Sequence, residues 1–215
     1  MLYLKCEYLK TPEDEYKKTK TLRIRNFRFF NKNSLIELDK RDPELNHKAH
    51  IVSITFEDQK NREKFETITL HLNNDETLCP VKSSVRIVQR VLSYPRSTEE
   101  TKICYFHEKN STYEITNTIM IKHLRNAALC IGSKELGFSP LEIGTHSIRS
   151  GGAMALCLAK VEHTIIKLIG RWKSDAFLKY IRKQVQDLTI DISSRMIQNE
   201  HFRHIPAFNN RICTI

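Results

Sequence analysis

The chain has 215 residues, 40% of them hydrophobic and 28% charged, with a formal net charge of +10. That composition is enough for one sizeable domain with its own core and excludes disorder throughout, and no apolar run approaches the ~18 residues of a membrane span. The charge is uneven: residues 1–80 hold 15 Lys and Arg against 14 Asp and Glu, residues 81–215 hold 20 against 11, so a folded basic surface that meets a polyanion, nucleic acid first, is expected in the later part.

The opening residues, Met1 to Lys18, become charged too soon for a signal peptide. They enter structured-looking sequence at once, and a segment lost in front is the expectation. Thr21–Phe30 alternates basic and apolar residues, the period of a half-buried strand. Asn31–Lys48, polar and broken by a Pro, reads as a connecting loop. His50–Phe56 and Phe65–Leu72 are β-branched and aromatic and read as strands, with the polar run Glu57–Arg62 as the hairpin loop between them.

From Pro80 the period changes. Val81, Val85, Val88 and Leu92 recur at helical spacing behind a Pro suited to a first turn, and Pro95 ends the segment. Ser93–Asn110 is irregular, with a short strand expected at Ile103–Phe106. A helix is expected over Thr116–Ile131, with Met120, Leu124, Ala127 and Ile131 on its apolar face and Gly132 as its stop. After the turn at Gly137–Pro140, helices are expected over His146–Leu158, Val161–Ile169 and Ser174–Val185, the last capped by Ser174. The reading is one α+β domain, sheet first and helices after, over residues 1–205, with a loosely held tail over 206–215.

The six cysteines are widely spaced without a CxxC pair, which fits thiols in a reducing compartment better than disulfides or a zinc ribbon. His47/His50 and His201/His204 have HxxH spacing but lack cysteine partners, so surface histidines are expected and no metal or cofactor.

Four features carry possible chemistry. His146 and Arg149, three apart on a helix, share a face and can reach one small anion, the Arg as a rigid fork and the His as donor or proton shuttle. Trp172, in Gly170-Arg171-Trp172, offers a donor-only indole that could meet a phosphate oxygen. Tyr180 sits among Lys179, Arg182 and Lys183; its hydroxyl needs cations or a base to become a nucleophile. Lys60, in the expected hairpin loop, could protonate a leaving oxygen. Each has an ordinary reading as well: a surface pair, a core Trp, a solvated helix face and an idle loop Lys.

In this order and spacing the four become specific. Gly144–Val185, GTHSIRSGGAMALCLAKVEHTIIKLIGRWKSDAFLKYIRKQV, resembles the signature half of tyrosine recombinases, the phage-integrase family, and its wording is similar to recombinases of Crypton- and DIRS-type mobile elements. The resemblance is strong over 144–185 and weak around the hairpin. It implies a mainly α-helical catalytic domain with a small antiparallel sheet in its N-terminal third, working in the nucleus as a DNA-bound tetramer. Tyr180 would attack a DNA phosphodiester, giving a 3′-phosphotyrosyl bond. Arg149, His146 and Trp172 would stabilise the transition state, and Lys60 would protonate the leaving 5′-oxygen. The Trp172-to-Tyr180 gap is one residue shorter than is common in phage members.

One departure stands out. The family carries a second Arg early in the domain, and the position three before Glu7 is Leu4. Losing one charge-assisted clamp costs about 3–4 kcal/mol, or ~10²–10³ in rate. The DNA-clamping domain usual in front is missing too, so the expectation is a truncated copy with weak or absent cleavage. The rival expectations are a non-catalytic DNA-binding remnant, a metal-dependent nuclease, for which the stretch offers too few carboxylates, and a basic structural protein.

Overall fold

Phe27 and Phe29, and then Val52, Ile54 and Phe56, are buried on alternate positions of extended segments, so each segment turns one apolar face inward. The computed structural model describes residues 21–178 except 33, 39–41, 43, 59–63 and 74. Their fold is mixed α/β. A four-stranded antiparallel sheet of order β2-β1-β3-β4 is built from β1 (Phe27–Asn31), β2 (Ser34–Ile36), β3 (Ile51–Asp58) and β4 (Lys64–His71). The register runs Phe27↔Ile54 between β1 and β3, and from Ile51↔His71 to Asp58↔Lys64 between β3 and β4. Six helices are found among the described residues: α1 (Leu45–Lys48), α2 (Pro80–Leu92), α3 (Asn117–Ile131), α4 (Ser133–Leu136), α5 (Thr145–Leu158) and α6 (His163–Gly170). The second sheet pairs β5 (Tyr105–Glu108) with β6 (Ser111–Glu114).

The inner face of the large sheet packs on α2, whose Val81, Val85, Val88 and Leu92 are buried as their spacing predicts. The outer face is polar: Ser53 pairs with Thr69 and Thr55 with Thr67 through hydroxyl hydrogen bonds of 2.9 Å.

Several expectations give way to local chemistry. The strand expected from Thr21 begins at Phe27, because Ile24–Asn26 is a 3-10 turn closed by the Arg23 N–H donating to Asn26 Oδ1 at 2.7 Å. The stretch Asn31–Lys48 holds β2 and α1 rather than only loop, since Leu45 is fully buried in the main core and Ile36 pairs with Phe29. Glu57 and Asp58 extend β3 instead of opening the hairpin loop; Arg25 clamps the Glu57 carboxylate at 2.7 and 2.8 Å. The strand expected at Ile103–Phe106 lies at Tyr105–Glu108. Its partner β6 follows a two-residue turn, Lys109-Asn110, with both residues at positive φ.

Thr116 caps α3, accepting from the Ile119 N–H at 3.3 Å, and Gly132 at φ 95° ends it. The inward face differs from the expected one: Ala128 is buried, whereas Ala127 and Ile131 are exposed. Arg125 sets this rotation by donating to the carbonyls of Ile143 (3.1 Å) and Leu141 (2.8 Å). Of the helix expected over Ser174–Val185, Asp175–Phe177 is a 3-10 turn, and residues beyond Leu178 lie outside the described ones.

A second, smaller core joins Ala153 and Cys157 of α5, Ile166 of α6 and Phe177. Between the two cores lies an apolar cavity of about 470 Å³, lined by Ile54, Ile68 and Leu70 on the sheet side and by Gly152, Leu156 and Ile169 on the helical side. No helix among the described residues is long and apolar enough to cross a membrane.

Candidate functional site

Helix α5 starts at Gly144, whose N–H donates to Ser147 Oγ at 3.1 Å. His146 falls in the first turn and is exposed, at the end of the helix where backbone N–H groups point outward and favour negative charge. Arg149, one turn later on the same face, is only 4% exposed. A guanidinium cannot shed its charge, so its burial demands partners.

The partners come from the end of α6. The Arg171 N–H bonds to Leu168 O and the Trp172 N–H to Lys167 O, both at 3.0 Å, the paired bonds of a Schellman turn. This turn folds Trp172 back over Gly170. An added Cβ at Gly170 would lie 1.7 Å from Trp172 Cζ3, so only glycine fits beneath the ring. The same fold-back aims the Gly170 carbonyl at α5, where it accepts a hydrogen bond from Arg149 Nη2. The Arg149 guanidinium lies over the Trp172 ring, 4.2 Å from its centroid. The Trp172 face thus meets the guanidinium charge while Nη2 is held by the Gly170 carbonyl, so the side chain is fixed in orientation. Phe177 completes the nest, 5.5 Å from Trp172 and edge-on to His163 at 5.9 Å.

Arg171 occupies the left-handed position of the turn, φ 54°, where glycine is the usual residue. Its backbone strain is about 1 kcal/mol. Its guanidinium sits 3.6 Å from the centroid of Phe56, a buried residue of β3, and Arg171 itself is 8% exposed. A desolvated cation–π contact is worth about 2 kcal/mol, enough to offset the strain. Sequence reading missed this residue, because nothing in the spacing of residue 171 and residue 56 signals a contact between a helix end and a strand.

Of the five residues expected from sequence, the structure brings Arg149 and Trp172 into direct contact and places His146 one helical turn before Arg149. Lys60 and Tyr180 lie outside the described residues, as do Leu4 and the His201/His204 pair. Among the described residues no group of three or more His, Cys, Asp or Glu side chains could hold a metal ion. Cys79, Cys104 and Cys157 are buried free thiols and Cys130 an exposed one. Cys79 stands at the start of α2. Burial would push its thiol up, but N–H groups of Lys82, Asn73 and Val81 outweigh that and hold it below the ordinary value.

Charge pairing is concentrated on the sheet half, where Arg25 bridges Glu57 and Glu100 and Arg23 also meets Glu100. On the helical half, Lys167 meets Asp175 at 3.0 Å. No protein-family model, curated protein or solved structure matches the chain.

Proposed function

We propose that the chain is a tyrosine-recombinase-type DNA strand transferase, and the observation that carries the reading is the Arg149–Trp172 stack anchored at Gly170. The two residues the family motif assigns to the scissile phosphate, 23 positions apart in sequence, are in contact, with His146 at the open start of the same helix. A buried, oriented guanidinium beside a helix start suits the crowded negative charge of a phosphoryl transition state.

In this reading Tyr180 Oη attacks the phosphorus and its proton passes to water. The bond from phosphorus to the 5′-oxygen breaks, its electron pair stays on that oxygen, and Lys60 supplies the proton. The 3′-phosphotyrosyl link keeps the bond energy, so a second 5′-hydroxyl reverses the step without a nucleotide cofactor. Double-stranded DNA is the partner, with several copies assembling on it in the nucleus.

A second reading, a DNA-binding remnant that no longer cleaves, is favoured by Leu4 at the position of the family's other Arg. One experiment separates them. The protein is incubated with a nicked suicide duplex and resolved on a denaturing gel, beside Tyr180→Phe. The strand-transfer reading expects a covalent adduct with the parent protein, slowed ~10²–10³-fold by the missing guanidinium, and none with the variant. Salt-sensitive binding that Tyr180→Phe leaves intact, without adduct, selects the remnant. Failure to bind duplex DNA at low salt overturns both.

A further inference from the structure

The tripeptide Gly170-Arg171-Trp172 faces two ways. Its Gly carbonyl and Trp ring hold Arg149 on α5, while the side chain between them reaches the sheet and lies on Phe56. Phe56 pairs across to Glu66 of β4 and belongs to the main core, so it is a fixed platform. The helix end itself gains nothing from an Arg at this position. Its hydrogen bonds are backbone bonds that any residue can make, and glycine would make them without strain. The Arg side chain adds a seat on Phe56, across the seam between the two cores.

We infer that Arg171 is a positioning residue: through its stack on Phe56 it fixes the turn that sets the Gly170 carbonyl and the Trp172 ring, and so the orientation of Arg149. For its chemical consequence the inference rests on the strand-transfer reading above; the anchoring of Trp172 stands apart from it. Arg171 acts through Trp172 and Arg149 and does not itself meet the phosphate. Phe56 is an apolar side chain of the main core and offers a phosphate no polar group. Removing either member of the stack therefore releases Trp172 alike, whereas an Arg171 that bound DNA directly would be the one whose loss lowers duplex affinity.

The test compares Arg171→Gly, Phe56→Leu and the double variant in the full chain. Arg171→Gly relieves the left-handed strain, so a mere capping role predicts an unchanged or stabilised protein with parental behaviour. The readouts are the emission of Trp172, which is the only tryptophan in the chain, the rate of adduct formation on nicked duplex, and duplex affinity. The expected result is a shifted Trp172 emission and an adduct rate lowered at least about tenfold in both single variants. Duplex affinity should stay within about threefold, and the double variant should be no worse than either single one in emission and adduct rate, because both lose the same stack.

Parental emission and rate in Arg171→Gly overturn the inference. So does a loss of duplex affinity in Arg171→Gly that Phe56→Leu does not share, since that marks a direct DNA contact. If the parent forms no adduct, the strand-transfer reading falls, and with it the catalytic consequence of the stack. A shared, non-additive emission shift in the two variants then still supports the anchoring, and its absence overturns that too.

Discussion

At the scale of single residues, Gly170 is the position with least tolerance. Any side chain there meets the six-membered ring of Trp172 at 1.7–2.6 Å, so the ring must leave its place over Arg149. Gly170→Ala should cost about 2 kcal/mol, the usual scale of overpacking in a closed site. That lowers the melting temperature by ~4–8 °C in a chain of this size. The sole Trp reports the cause as well as the cost, because displacing Trp172 into water moves its emission to the red; a parental spectrum would refute the collision. Asp75 gives a pH-dependent case. Its carboxylate accepts from the N–H groups of Leu78 (2.6 Å) and Thr77 (2.7 Å), which hold it below the ordinary carboxylate value. A folded value below the unfolded one stabilises the protein above about pH 4 and ceases to do so as pH falls through the folded value. Asp75→Asn should therefore lower the urea midpoint at pH 7, with the gap to the parent closing towards pH 3. A gap independent of pH would mean that the charge is irrelevant.

At the scale of elements, caps and burial decide what a periodic pattern leaves open. The Thr116 hydroxyl accepts from the first turn of α3, and at 3.3 Å the bond is long. Thr116→Ala should cost about 0.5–1 kcal/mol, the lower part of the range for such caps. The denaturant midpoint should fall while its slope stays constant. Strong periodicity made α2, β3 and β4 legible: Val81, Val85, Val88 and Leu92 repeat helically, and Val52, Ile54 and Phe56 alternate. Elements fixed by long-range partners were not. β2 is three residues long and exists because Phe29 pairs with Ile36, and α1 exists because Leu45 fills the core. β6 follows a turn of Lys109-Asn110 without the glycine that usually marks one. The inward face of α3 depends on Arg125 reaching carbonyls sixteen and eighteen residues away, which no local pattern encodes. The candidate site divides in the same way. His146 and Arg149 could be placed on one helix face from spacing alone, but burial of Arg149 under Trp172 and the reach of Arg171 to Phe56 are tertiary facts.

At the scale of the whole molecule, the two cores are unequal. Among the described residues, sixteen buried hydrophobic residues join the large sheet and α2, against four in the α5–α6 cluster. Stability is distributed as burial is, so the smaller unit should open first. The seam holds the 470 Å³ apolar cavity, where side chains of β3, β4, α5 and α6 face space rather than one another, which weakens the hold between the two. The Arg171–Phe56 stack is a polar exception that crosses it. Native-state hydrogen exchange should accordingly show amides of α5 and α6 at least about tenfold less protected than those of β3 and α2. Arg171→Gly should widen the difference by loosening the seam. Equal protection in the two units would mean one cooperative fold and would remove the separate opening. If opening is separate, and on the proposed strand-transfer reading, a duplex bound at His146 and Arg149 on α5 should stabilise the weaker unit by mass action. Its amides should then slow towards those of the sheet, while β3 and α2, already at the limit set by global unfolding, gain less.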